Sequence, residues 1–253
     1  MRTVKIRETV IGEGMPKICV PITGKSREEI EEETRQVKEM KPDLVEWRAD
    51  CYEEGKNQEK CLELLKTIRD ILGEIPLLFT VRTDKEGGNV QILFEDYVKL
   101  LEEAAKTGYA DLIDVEVYFE GHDTKNLIRH LQKQNSFVVA SNHHFHETPD
   151  VEAMLGILRE MDQKGADILK LAVMPQCEEE VYTLLQATVK MKKETEKPVI
   201  TMSMGKTGVL SRLCGEVTGS AVTFAAGIRA SAPGQIPVKR MRDTLMLLHE
   251  SFT

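Results

Sequence analysis

The chain lacks the features that would tie it to a membrane, to nucleic acid or to an oxidising compartment. No stretch approaches the roughly 18 uninterrupted apolar residues of a membrane helix, and residues 1–10 alternate charged and apolar side chains instead of forming a signal peptide. Aromatic residues make up 5% of the 253 residues, and a net charge of −8 with no basic cluster argues against nucleic acid as a partner. We therefore expect a cytoplasmic protein that binds neither membranes nor nucleic acid.

Cysteine is scarce and unpaired. The five cysteines are odd in number, scattered and without a C-x-x-C pair, which argues against a disulfide framework and against a thiolate zinc site. Linkers and low-complexity tracts are missing too, and a length of 253 residues suits one large domain. We expect residues 1–253 to form a single domain that folds without disulfides or a structural metal.

Apolar, β-branched runs recur at nearly even intervals and alternate with helical patterns. The runs are Lys17–Thr23, Leu44–Asp50, Pro76–Arg82, Leu112–Tyr118, Phe137–His144, Ile168–Met174, Val199–Gly205 and Ala221–Gly227. The helical patterns are Ser26–Met40, Gln58–Leu72, Gln91–Thr107, Asp123–Gln134, Pro149–Lys164, Glu178–Glu194, Thr207–Val217 and Pro237–Ser251. Alternation of this kind is typical of parallel βαβ units. Eight units of α/β type favour a closed (β/α)₈ TIM barrel.

An open doubly wound sheet is the structural alternative. It would normally carry a glycine-rich phosphate loop after its first strand, and Thr23–Ser26 is too short to be one. Residues 1–14 precede the first strand and predict a short β-hairpin that covers the N-terminal end of the barrel. Thr148, before Pro149, is the predicted N-cap of the fifth helix.

Lys170 interrupts a strand that is otherwise fit for full burial, Ile168–Val173. Desolvation by apolar neighbours favours the neutral amine, which is the form that Schiff-base chemistry on a ketone requires. A lysine paired with a buried carboxylate such as Glu116 or Glu46, for structural reasons only, explains the same pattern. Both interpretations stand at this point.

His143 ends the fifth predicted strand, within the run Asn142–Glu147. Strand alternation places His143 and His144 on opposite faces, so at most one of them points into the barrel, and we expect no metal site. A lone histidine at a strand end is commonly structural. On the strand next to Lys170, however, it becomes a candidate general acid and base, because its ordinary pKa lies near neutrality.

Further polar residues fall at the carboxyl ends of strands, where barrels place their chemistry. They are Glu46, Arg48, Arg82, Glu86, Arg212 and the segment Ser231–Gln235. Each arginine alone is commonly a surface or salt-bridge residue. Three at one end of an acidic protein indicate a small, anionic, oxygen-rich substrate, with phosphate still open.

At this point the chain resembles a known family, type I 3-dehydroquinate dehydratase. The resemblance is carried by Gly12–Ile18, Glu46–Arg48, Pro76–Arg82, Lys85–Gly88, Ser141–His143, Lys170–Gln176, Thr201–Met204 and Ser231–Ile236, which follow the family's order along nearly the whole chain. It implies a (β/α)₈ barrel that dehydrates 3-dehydroquinate to 3-dehydroshikimate in the shikimate pathway, with no cofactor and no metal. It also implies a homodimer.

The resemblance assigns roles to residues of this sequence. Lys170 would form an iminium with the substrate ketone, His143 would move the protons, and Glu86 would orient His143. Substrate binding falls to Glu46, Arg48, Arg82, Arg212, Ser231 and Gln235, with Arg212 meeting the carboxylate and the segment Ser231–Gln235 acting as a lid. One departure is Pro21, where some members carry a serine that contacts the substrate; Thr23 is the candidate replacement.

Two other functions remain open from the residues alone. A barrel aldolase would use the same lysine to cleave a carbon–carbon bond of a phosphorylated aldol substrate. A catalytically silent barrel would bind a ligand without converting it, although such a protein has no need to keep Glu86, His143 and Lys170 together.

Overall fold

The computed structural model describes residues 3–119 and 121–251. Its strands are β1 (Val4–Ile6), β2 (Thr9–Ile11), β3 (Lys17–Ile22), β4 (Leu44–Arg48), β5 (Leu77–Thr80), β6 (Leu112–Glu116), β7 (Tyr118–Phe119), β8 (His122–Asp123), β9 (Phe137–His144), β10 (Ile168–Val173), β11 (Val199–Ser203) and β12 (Val222–Phe224). Its helices are α1 (Arg27–Glu39), α2 (Gln58–Leu72), α3 (Phe94–Thr107), α4 (Lys125–Lys133), α5 (Val151–Lys164), α6 (Glu178–Glu194), α7 (Val209–Leu213), α8 (Gly215–Thr218) and α9 (Val238–Glu250). Short 3₁₀ turns span Ala49–Cys51 and Asp84–Glu86.

Eight parallel strands form one sheet in the order β11-β10-β9-β6-β5-β4-β3-β12. The two outer strands of this order also meet, because the Ala221 amide donates to the Val199 carbonyl at 2.7 Å and the Thr201 amide donates to Ser220 Oγ at 3.0 Å. The sheet is therefore closed into the predicted (β/α)₈ barrel, with helices between successive strands.

Strand alternation separates two apolar layers. In β4, Val45 and Trp47 face outward into a core that includes Leu64 and Leu65 of α2, and Trp47 packs edge-on against Phe79 at 5.5 Å between ring centroids. The residue between them, Glu46, faces the barrel interior. Burial of the outer layer fixes the register of each strand, since a slip of one residue would exchange the two faces.

The predicted N-terminal hairpin is present and closes the amino-terminal end of the barrel. It is the antiparallel pair β1–β2. Val4, Ile6 and Ile11 are buried in one cluster with the first inward-facing residues of the barrel strands. At its turn, Arg7 donates to Asp111 at 2.7 Å, which fastens the hairpin to the loop before β6.

Three local predictions were wrong. The expected helix 207–217 is split at Cys214 into α7 and α8. At Gly215, the first residue of α8, a Cβ would lie 2.6 Å from the Ser220 carbonyl oxygen. Asp150, not Thr148, caps α5, because its carboxylate accepts from the Ala153 amide at 2.8 Å. The third helix begins at residue 94 instead of 91.

No helix within residues 3–119 and 121–251 is long and apolar enough to cross a membrane.

Candidate active site

A pocket opens at the carboxyl ends of the barrel strands, and all of the sequence-predicted site residues except Arg212 border it. Its lining comprises Glu46, Arg48, Arg82, Glu86, His143, Phe145, Lys170, Ala172, Met202, Met204, Phe224, Ser231, Ala232 and Gln235. Residues far apart in sequence converge there because parallel strands end on the same side of the barrel.

Lys170 lies on β10 with its ammonium inside the barrel. Its Nζ is 3.2 Å from Asp114 Oδ2, 3.4 Å from Glu46 Oε1 and 4.7 Å from the centroid of the Phe224 ring. Thr80 donates to the same Glu46 oxygen at 2.9 Å. The lysine therefore has two buried acidic neighbours and one aromatic neighbour. Glu46 was an expected partner, whereas Asp114 takes the place that the sequence offered to Glu116.

His143 and Glu86 form a hydrogen-bonded pair beside this lysine. His143 Nδ1 lies 2.8 Å from Glu86 Oε2, and Asn142 donates to the other Glu86 oxygen at 2.9 Å. Gly87 follows directly and passes so close to Phe145 that a Cβ would lie 2.3 Å from the ring. Both Glu86 oxygens are thus fixed, and the Nε2 side of the imidazole is left for a bound molecule.

Burial perturbs this pair in opposite directions. Burial lowers the pKa of His143 well below its ordinary value, and the Arg82 and Lys170 cations add to the effect. Burial also raises the pKa of Glu86 to about 8, against the opposing pull of Arg82 and with help from the Glu116 carboxylate. Burial therefore favours the uncharged imidazole of His143, and it shifts proton affinity from His143 toward Glu86.

Arg82 is enclosed by acidic and polar side chains. Its guanidinium donates to Asp114 at 2.7 Å, to Ser141 at 2.9 Å, to Glu116 at 3.1 Å and to Glu86 at 3.4 Å. Only 3% of its side chain is exposed, so the charges that it balances are screened little by solvent. Arg82 joins the acid next to Lys170 to the acid next to His143.

Arg48 reaches the pocket from the end of β4. Its Nε and Nη2 both donate to Asp50 at 2.8 Å, a bidentate pair. Burial disfavours the cation, but Asp50 outweighs that effect and raises the pKa of Arg48. The guanidinium is held charged at the pocket wall.

Arg212, the remaining predicted residue, lies just behind the pocket at the end of α7. It is 2% exposed, and its guanidinium donates to the carbonyl oxygens of Pro233 at 3.1 Å and Phe224 at 3.4 Å, with the Met202 sulfur 3.9 Å away. Among the described residues it has no acidic partner within 4.0 Å. Burial lowers the pKa of Arg212 to about 10.

The segment Ser231–Gln235 covers the pocket as an internally bonded loop. The backbone amide of Ser231 donates to Gln235 Oε1, and the side-chain amide of Gln235 donates to Ser231 Oγ, each at 2.9 Å. The Gly205 amide donates to the Pro233 carbonyl at 3.1 Å. Gly234 has φ +80°, and a Cβ there would lie 2.1 Å from the Gly205 carbonyl oxygen, so this close approach needs glycine.

Several functional neighbours were missed from the sequence. Three residues hold predicted site residues in place: Asp114 contacts Lys170, Asp50 contacts Arg48, and Asn142 contacts Glu86. For Asp114, the available signal in the sequence was the period-two alternation of a buried strand. The pocket also has an apolar wall that was given no role, formed by Phe145, Ala172, Met202, Met204 and Phe224. Pro21 and its candidate replacement Thr23 are not among the pocket-lining residues of the described chain; the Thr23 amide donates to Glu33 at 2.9 Å.

Comparisons with known proteins agree with this arrangement. The family model described as "Type I 3-dehydroquinase" matches residues 18–252. The 3-dehydroquinate dehydratase of Bacillus velezensis is 47% identical over 251 residues, covering 99% of both chains.

Two solved structures are also similar, and each superposes with a TM-score of 0.95. One is the type I 3-dehydroquinate dehydratase of Clostridium difficile, which is 44% identical over 99% of both chains. The other is the 3-dehydroquinate dehydratase of Geobacillus kaustophilus, which is 39% identical over 98% of this chain and 97% of that one. The chain belongs to the type I 3-dehydroquinase family.

Proposed function

We propose that this protein is a hydro-lyase that converts 3-dehydroquinate to 3-dehydroshikimate through a Schiff base on Lys170. The observation that carries the proposal is the convergence of a buried lysine and a histidine–glutamate pair on one pocket of a type I 3-dehydroquinase barrel. Directly behind the pocket lies the buried guanidinium of Arg212, which has no acidic partner among the described residues.

The reaction begins when the Lys170 ammonium gives a proton to His143 and its neutral Nζ attacks the C3 ketone. His143 returns that proton to the carbinolamine oxygen, which leaves as water, and a cationic iminium remains. Asp114 and Glu46, at 3.2 and 3.4 Å from Nζ, stabilise that cation as they stabilise the ammonium it replaces. Because the iminium withdraws electrons more strongly than the ketone, it acidifies the neighbouring C2–H bond.

His143 then removes the C2 proton, and the electron pair flows toward the iminium nitrogen to give an enamine. The enamine expels the C1 hydroxyl, which leaves as water with a proton from His143, and hydrolysis of the conjugated iminium releases the enone. One group on one face of the ring serves both proton transfers, which gives syn elimination.

The protonation state of Glu86 determines whether Nε2 of His143 accepts or donates a proton. With Glu86 ionised, the imidazole carries its proton on Nδ1, and Nε2 is free to accept the C2 proton. With Glu86 protonated, Nε2 carries a proton to donate. The pKa of about 8 that burial gives Glu86 keeps both arrangements accessible near neutral pH.

Substrate binding follows from the remaining polar wall. Arg212 meets the substrate carboxylate, because an anion is the partner that its buried guanidinium lacks. Ser231 and Gln235 assist from the covering loop, and Glu46, Arg48 and Arg82 hold the ring hydroxyls. The loop excludes water from the iminium while the chemistry proceeds.

The proposal is tested by borohydride reduction in the presence of 3-dehydroquinate, with ultraviolet detection of the enone in the untrapped reaction. We expect a stable adduct on the peptide that contains Lys170, and no adduct and no turnover with Lys170→Ala. Full dehydration without a lysine adduct would contradict the covalent mechanism. An adduct formed with a phosphorylated aldol substrate, with 3-dehydroquinate left untouched, would return the barrel to the aldolase class.

The family resemblance further supports a place in the shikimate pathway, a single cytoplasmic catalytic domain and a homodimer. Light scattering from the purified protein measures the last of these directly.

A further inference from the structure

The Asp50 carboxylate joins two parts of the site that the chain supplies from different strands. Its side chain is fully buried, at 0% exposed. Oδ1 accepts from Arg48 Nε at 2.8 Å and from the Arg82 amide at 3.1 Å. Oδ2 accepts from Arg48 Nη2 at 2.8 Å, and from the Asn89 amide and side chain at 3.2 and 3.1 Å.

The donors other than Arg48 are Arg82 and Asn89, which lie at the two ends of one loop. Residues 82–89 begin at the end of β5, carry Glu86 at their centre and return beside Asp50. The Gly88 amide donates to the Thr83 carbonyl at 2.8 Å, and a Cβ on Gly88 would lie 2.0 Å from the Arg82 carbonyl oxygen. The loop is therefore tightly folded, and a displacement at either end is passed on to Glu86.

We propose that Asp50 is a positioning residue that sets the substrate-facing guanidinium of Arg48 and the Glu86 loop in one fixed relation. This inference rests on the proposed function. Asp50 does not border the pocket, so it acts through its neighbours. On one side it directs Arg48, and on the other it fixes the loop from which Glu86 orients His143.

Asp50→Asn tests the proposal with little change of shape. The side-chain amide of this variant keeps one acceptor oxygen, and an NH₂ group replaces the other. That NH₂ group is a donor and cannot accept the hydrogen bonds that Arg48 or Asn89 donates to Asp50. We expect KM for 3-dehydroquinate to rise about 10-fold through Arg48, and kcat to fall about 10-fold through Glu86, the range typical of one charge-assisted hydrogen bond. Borohydride trapping on Lys170 at saturating substrate should persist, because Asp50 does not contact that lysine.

Two further variants separate the two sides of the carboxylate. In an Arg48→Met background, Asp50→Asn should cause no additional rise in KM, since the guanidinium through which it acts is gone. Asn89→Ala removes an exposed side chain that donates to Asp50 and, at 3.4 Å, to the Cys51 sulfur. It should lower kcat about threefold with KM unchanged. It also tests the loop half if Asp50→Asn is insoluble. Wild-type constants in Asn89→Ala would overturn that half.

Asp111→Asn is the matched control. Asp111 is a largely buried carboxylate at the other end of the barrel, and it likewise accepts from two arginines, Arg7 and Arg69, and from the Leu77 amide. We expect this variant to melt at a lower temperature with unchanged kcat and KM. If Asp50→Asn behaves like this control, with wild-type constants in the folded protein, the inference is wrong. Wild-type protein inactive on 3-dehydroquinate would instead overturn the proposed function, and the inference with it.

Discussion

The buried guanidinium of Arg212 leads to the sharpest prediction about substrate binding. Burial lowers its pKa from the ordinary range of an arginine to about 10. At roughly 1.4 kcal/mol for each pKa unit, the cation is destabilised by about 3 kcal/mol in the unliganded protein. A substrate carboxylate that approaches the guanidinium recovers a free energy of this order. Arg212→Met should therefore raise KM about 100-fold.

The assay compares 3-dehydroquinate with its carboxamide, which keeps the ring and loses the charge. Wild-type protein should prefer the acid strongly, and Arg212→Met should lose that preference. Arg212 also holds the Pro233 carbonyl at 3.1 Å. A variant that only loosened the covering loop would weaken both compounds equally, and that result, or a KM within threefold of wild type, would refute the carboxylate assignment.

Arg69→Met is the control for loss of a buried arginine. Arg69 is 8% exposed, and burial lowers its pKa as well, but it lies at the amino-terminal end of the barrel and donates to Asp111 and to the Ile75 carbonyl. Its replacement should reduce the free energy of unfolding and leave the preference for the acid unchanged.

Three further outcomes are expected around the histidine. His143→Ala should still give the Lys170 adduct with borohydride while turnover falls about 10²–10⁴-fold; a loss under tenfold would count against a general acid and base there. Because the pKa of Glu86 is about 8, raising the pH through 8 ionises it and frees Nε2 as a base, so wild-type kcat should rise across that interval. Glu86→Gln should flatten this part of the pH profile, and an unaltered profile would exclude Glu86 as the group responsible. Gly87→Ala places a side chain at a φ of +76°, with its Cβ 2.3 Å from the partly buried Phe145 ring, so backbone strain of about 1–2 kcal/mol should displace Glu86 and lower kcat several-fold; wild-type kcat in a folded variant would show that the loop adjusts freely.

Most of the fold could be predicted from the sequence, because each buried parallel strand is a short and nearly continuous apolar run. It failed where short elements depend on distant contacts. Nothing local distinguishes Thr148 from Asp150 as a cap, since both types accept from backbone amides and the choice depends on how the preceding loop leaves β9. The break between α7 and α8 lies beside the close approach of Gly215 to Ser220, a tertiary contact that the local sequence does not reveal.

Most of the pocket-lining residues could also be predicted from the sequence, but most of their hydrogen-bond partners could not. Residues that end strands could be assigned to one rim because the barrel brings all eight ends together. The partners of those residues could not, because they depend on strand stagger. Glu116 and Glu46 were the expected partners of Lys170. Glu46 lies 3.4 Å from its Nζ, but the second neighbour is Asp114, at 3.2 Å, and not Glu116. The contacts of Asp50 with Asn89, 39 residues further along the chain, likewise required the folded loop.

The hairpin that closes the amino-terminal end also determines how material enters and leaves. Val4, Ile6 and Ile11 are packed across that end. In the described part of the chain, the pocket therefore opens at the opposite end of the barrel, where the segment Ser231–Gln235 lies. In the proposed reaction the substrate, the enone and the released water all pass the mouth that the described residues leave at the carboxyl ends of the strands. A loop that excludes water during the reaction, as proposed, has to open for product release, so variants that weaken its contacts at Pro233 test that step separately from the chemistry at Lys170.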